Sequence, residues 1–108
     1  MSKAEELQLR RAIDILSQSD PIIKLLQEVK LGRMKPTDAG LRAITEAWLG
    51  TYQKLLETTA LSRHVLVRLD PSPRVDVLIQ SGVLTPDHQA VSSLLASFEK
   101  ALAQAVSE

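Results

Sequence analysis

The chain has 108 residues, 44% of them hydrophobic, with thirteen basic and thirteen acidic side chains and no cysteine. A formal net charge of zero removes any bulk attraction to nucleic acid or anionic lipid, and the missing thiols exclude disulfides, thiolate metal sites and cysteine nucleophiles. The length suits a single domain over residues 1–108, and with Trp48, Tyr52 and Phe98 as the only aromatics the core has to be built from Leu, Ile, Val and Ala, which favours helices packed on helices.

Residues 3–18 place Leu9, Ala12, Ile13 and Leu16 at helical spacing, which predicts an amphipathic first helix. Charge and apolar residues alternate through this start, without the continuous apolar core of a signal peptide or a membrane span, so a cytoplasmic protein with no membrane partner is expected. Asp20 and Pro21 suit the cap and first position of a second helix. Its stripe is Ile22, Leu25, Leu26 and Val29, and Gly32 is suited to the left-handed residue that closes a helix. Residues 30–40, KLGRMKPTDAG, then form a hairpin loop. Lys30 and Arg33 stand where cations favour a helix C-terminus, and Pro36 is expected to head the third helix with Asp38 near its positive end.

From Pro36 the periodicity runs through Leu41, Ile44, Trp48, Tyr52, Leu55 and Leu56, and no stop is apparent before Asp70-Pro71-Ser72-Pro73. The β-branched runs in residues 64–80 also fit two strands around that turn. Leu55, Thr59, Ser62, Leu66 and Leu69 keep helical spacing, so one long central helix to about Leu69 is the expectation. Ser72 and Pro73 begin a short helix carrying Val75, Val77 and Leu78 and ending at Gly82, and Thr85 is the expected cap of the last helix. That helix carries the clearest stripe: Val91, Leu94, Leu95, Phe98, Ala101, Leu102 and Ala105. Beyond the shared proline-and-acid helix starts, explained by capping, no repeat is apparent.

Chemistry is sparse. His64 and His88 have no Asp, Glu or His at the spacing that puts two ligands on one helical face, so no metal is expected. His64 is placed on the flank of the long helix and His88 in the first turn of the last. Asp14, Glu28, Glu46, Glu57 and Glu99 are scattered along the chain, not paired for acid–base work. Ser97 precedes Lys100 by three residues but inside a regular helix, and residues 32–40 lack the end of a phosphate-binding loop. No catalytic residue and no cofactor is therefore expected.

Charge is uneven. Residues 24–74 hold nine basic against five acidic side chains, and residues 75–108 one against four. Arg33, Lys35 and Arg42 on the hairpin are the candidates for phosphate contact, although Asp38 and Glu46 nearby repel a phosphate backbone. The segment LLQEVKLGRMKPTDAGLRAI, residues 25–44, resembles helical hairpins of small phage-packaging and mobile-element proteins, in which a helix ends at Gly-Arg and the next starts at Pro. Capping alone produces that pattern, and no functional residue is carried over from it.

The expected architecture is all-α, a small four- or five-helix bundle with a long central helix that dimerisation completes. The expected function is non-enzymatic: an oligomerisation or adaptor protein acting through protein–protein contacts, with Trp48, Tyr52 and Leu55 at the partner or dimer interface. The alternative is a small DNA-binding protein of phage or mobile-element type that uses the basic hairpin around residues 30–42.

Overall fold

A computed structural model describes residues 2–18 and 22–105. The expected cap at Asp20 and Pro21 lies outside the described residues. Six helical segments follow in order: α1 Lys3–Gln18, α2 Ile22–Lys30, α3 Ala39–Thr58, α4 Arg63–Arg68, α5 Ser72–Gln80 and α6 Gln89–Gln104. Five are at least nine residues long, α4 is a six-residue link, and the described residues contain no strand. The molecule is an all-α bundle, and the β-hairpin reading of residues 64–80 is excluded.

The central helix is shorter than its periodicity suggests. It ends at Thr58, where the Thr58 hydroxyl turns back onto the Lys54 carbonyl at 2.7 Å and Thr59 goes extended at φ −118°, ψ 123°. Such back-bonding offers the chain an alternative to the next helical turn. Ser62 then starts α4 by accepting the Val65 amide at 3.4 Å. The chain leaves the helix at Thr59 with no Gly or Pro to mark the place, and His64 consequently lies on α4, off the long helix.

Two expected helix starts also move. Pro36 does not head α3; it occupies the second place of a β-turn that the Asp38 amide closes on the Lys35 carbonyl at 3.0 Å. Asp38 is the cap, its carboxylate accepting the Leu41 amide at 3.0 Å. Likewise Thr85 opens a turn closed by the His88 amide at 3.1 Å, and His88 caps α6. Proline fits the second position of such a turn because its φ is already set there.

These two connections are the same structure written twice, fifty positions apart. After α2, the Gly32 amide bonds the Val29 carbonyl and the Arg33 amide that of Glu28; after α5, the Gly82 amide bonds Ile79 and the Val83 amide Leu78. Each is a Schellman closure, with Gly32 at φ 76° and Gly82 at φ 80°. The β-turn and the capping residue follow at matching positions. The chain thus contains a duplicated helix–loop–helix unit, α2–α3 and α5–α6, that the sequence reading missed. Side chains hide it: the closure joins Glu28 and Arg33 through an ion pair at 3.6 Å in the first unit, and falls on the fully buried Leu78 and Val83 in the second.

The long helices of the two units pack on each other along one core that includes Leu41, Leu49, Leu66, Leu78, Val83 and Leu94. They run parallel, since Glu46 meets His88 near one end and Glu57 meets Ser97 near the other. Set against the fifty-residue repeat, those pairs are offset by eight and ten positions, a stagger of about 12–15 Å at about 1.5 Å per residue. α1 packs against α3 and α4. The whole measures 46 × 26 × 19 Å.

Candidate interaction surface

Trp48, Tyr52 and Leu55 are only 4%, 5% and 7% exposed, covered by the chain itself. The Trp48 indole N–H donates to the Leu16 carbonyl of α1 at 3.1 Å. Its ring meets Tyr52 edge-on with centroids 5.3 Å apart, and the Arg74 guanidinium of α5 lies 5.1 Å over it. The Tyr52 hydroxyl donates to the Leu69 carbonyl, and burial pushes that hydroxyl well above the usual phenol range. Within the chain these three residues are buried, the apolar face of α3 being packed against α6, α1 and the α4–α5 segment.

Arg33, Lys35 and Arg42 are all exposed. Arg33 is engaged with Glu28, and Asp38, which caps α3, places a carboxylate among the three cations. The hairpin is a mixed-charge loop whose acids have structural duties.

Apolar surface is left open on several elements, among them Leu7, Ile13 and Ile15 on α1 and Val67 on α4. A groove of about 360 Å³ runs between α2 and α5, lined by Leu26, Gln27, Val29, Lys30, Val77 and Ser81. Val77 is 46% exposed, and Ile23, one turn before Leu26 and Gln27, is 53% exposed. Leu31, where α2 ends, is also exposed. The core side of α5 is Val75 and Leu78; Val77 points away from it, which its spacing from those two residues discloses.

At the other end of the molecule a cleft of about 700 Å³ is bordered by Glu5, Leu56, Glu57, Leu61, Ser62 and Gln104, among others. Glu5 ties this end together. One carboxylate oxygen accepts the Ser2 amide at 3.1 Å while Ser2 Oγ accepts the Glu5 amide, a capping box. The other accepts the Ser62 hydroxyl at 2.6 Å and lies 3.1 Å from His64 Nδ1. The Ser62 hydroxyl foremost, then the Ser2 amide, hold the Glu5 carboxyl down to about 2. Because the carboxylate stands between serine and histidine, no imidazole is placed to take the serine proton. The cluster fastens α1 to the start of α4.

His88 joins the two units. Its Nδ1 accepts the Ala90 amide at 3.0 Å, which requires the proton on Nε2, and Nε2–H points at Glu46 Oε1 3.0 Å away. Among the described residues no group of three His, Asp or Glu side chains is placed to hold a metal ion, and no helix is long and apolar enough to cross a membrane. Comparison with protein families, with curated proteins and with solved structures gives no match to this chain.

Proposed function

We propose that this chain is a non-enzymatic helical oligomerisation or adaptor protein of the cytoplasm that acts by protein–protein contact through the face made by α2 and α5. The observation that carries this reading is the α2–α5 groove: apolar, lined by Leu26, Val29 and the exposed Val77, and served by two helices whose other sides are committed to the core. Contiguous exposed apolar surface of this kind, edged by polar residues, is characteristic of contact sites.

The lysines provide a map for the test. Lys24 and Lys30 belong to α2, whereas Lys3, Lys54 and Lys100 lie on other helices and Lys35 on the hairpin loop. Cross-linking in cells followed by mass spectrometry is expected to concentrate intermolecular links on Lys24 and Lys30, and Ile23→Glu with Val77→Glu should remove them while leaving helicity unchanged. Links spread evenly over all six lysines would defeat the assignment. Duplex DNA binding that weakens steeply with salt and disappears with Lys35→Glu and Arg42→Glu would replace it with the nucleic-acid reading.

A further inference from the structure

We infer that His88 is a proton-operated cap: the neutral imidazole closes the start of α6, and protonation opens it. The inference is independent of the α2–α5 face and rests on what the two ring nitrogens do.

The duplicated unit supplies the comparison. Asp38 caps α3, and fifty positions on, at the same place in the second unit, His88 caps α6. The two caps work by different chemistry. The Asp38 carboxylate accepts the Leu41 amide at 3.0 Å, and a carboxylate remains an acceptor throughout the neutral range. His88 accepts the Ala90 amide at 3.0 Å through Nδ1, and an imidazole nitrogen accepts only while it carries no proton. Imidazole is also the side chain whose ordinary titration falls between about pH 5 and pH 8.

Protonation therefore sets an Nδ1–H against the Ala90 N–H and adds a positive charge at the positive end of the helix. The other nitrogen is indifferent. Nε2 keeps its hydrogen in both forms, and Glu46 Oε1, 3.0 Å away, accepts it in both. The Glu46 charge also steadies the imidazolium, so acid releases α6 from the ring while the ring stays on α3. Two further charged groups stand near it. Asp87 is its neighbour in the chain, with a carboxylate held below the usual range by the Thr85 hydroxyl foremost, and Arg42 lies one turn before Glu46 on α3. α4, which also packs on α6, meets it at the far end, where Leu66 and Ala101 border one cleft.

Amide hydrogen exchange between about pH 8 and pH 5, each rate taken relative to the unstructured chain at the same pH, provides the test, with the imidazole followed by NMR in the same samples. Protection of the Ala90 amide is expected to fall by about fivefold or more as His88 gains its proton, the effect of losing a cap. The Leu41 amide, held by Asp38, should keep its protection. Asparagine caps without titrating, so His88→Asn should hold Ala90 protection constant over the same range, with unchanged circular dichroism establishing that it folds.

Ala90 protection that stays constant while His88 titrates overturns the inference, as does an equal fall in His88→Asn. A neutral ring with its proton on Nδ1, which the imidazole nitrogen shifts report, overturns it as well.

Discussion

Replacing Trp48 by Phe keeps an aromatic ring on α3 while deleting the N–H that holds α1. The wild-type indole donates to the Leu16 carbonyl at 3.1 Å in a buried position, and Trp48 is 4% exposed. The variant leaves that carbonyl without its donor, at a cost of about 1–3 kcal/mol. The smaller ring also forfeits apolar burial equivalent to one or two methylenes, each about 0.8 kcal/mol. Together these give a loss of about 2–4 kcal/mol, a large part of the roughly 5–15 kcal/mol of stability expected for a domain. Urea unfolding followed by far-ultraviolet circular dichroism reads this directly. With a slope of roughly 1–3 kcal/mol per molar, the midpoint should fall by about 1–2 M. A loss below about 1 kcal/mol, smaller than the cost of stranding one buried carbonyl, would show that α1 is not anchored across α3 by this bond.

The two loop glycines should respond alike. Gly32→Ala and Gly82→Ala each force an L-residue to positive φ, costing about 1–2 kcal/mol. An added Cβ meets nothing at Gly32 and only Pro36 at ordinary contact distance, 3.5 Å, at Gly82. Thermal unfolding of both variants checks this, and a site that accepts alanine without loss would not hold a left-handed closure. Acid should loosen the α1–α4 junction. Glu5 titrates near 2 in the folded chain against an ordinary 4.5, so the stability its ionised form contributes is complete above about pH 4.5 and disappears as pH falls towards 2. Glu5→Gln should flatten that part of the acid unfolding curve, and a Glu5 titration midpoint of 4.5 by NMR would contradict the clamp.

Helix class and most helix centres were legible from the spacing of apolar residues, because burial on one face leaves a strong period. Val91, Leu94 and Phe98 are buried on α6 as their stripe implies. Boundaries were less legible. The break after Thr58 carries no Gly or Pro, and threonines bonded back to i−4 carbonyls also stand inside α3 at Thr45 and Thr51. Prolines 36 and 86 look like helix starters, yet each sits in a turn two residues earlier than the cap. The duplication escaped because the backbone pattern repeats while the side chains that occupy it do not. The α2–α5 groove was hidden for a different reason: the spacing of Val77 from Val75 and Leu78 turns it off the core side of α5, but only the fold brings α2 beside it. The aromatic pair on α3 is one turn apart and could serve a core or an interface by spacing alone; in the chain both rings are buried, against α1 and α5.

The stagger between the two repeated units has a consequence for how such units can stack. Two copies related by a pure rotation would close on each other; copies displaced along their helices leave two unlike ends, the arrangement from which open-ended repeat stacks are made. α1 lies against α3 on one side, and α6 turns Ser92, Ala96, Glu99, Lys100 and Ala103, small or polar residues, outward on the other. The chain thus repeats one helix–loop–helix pattern with a stagger, and its flank, where α2 and α5 border a groove, is apolar surface open to contact.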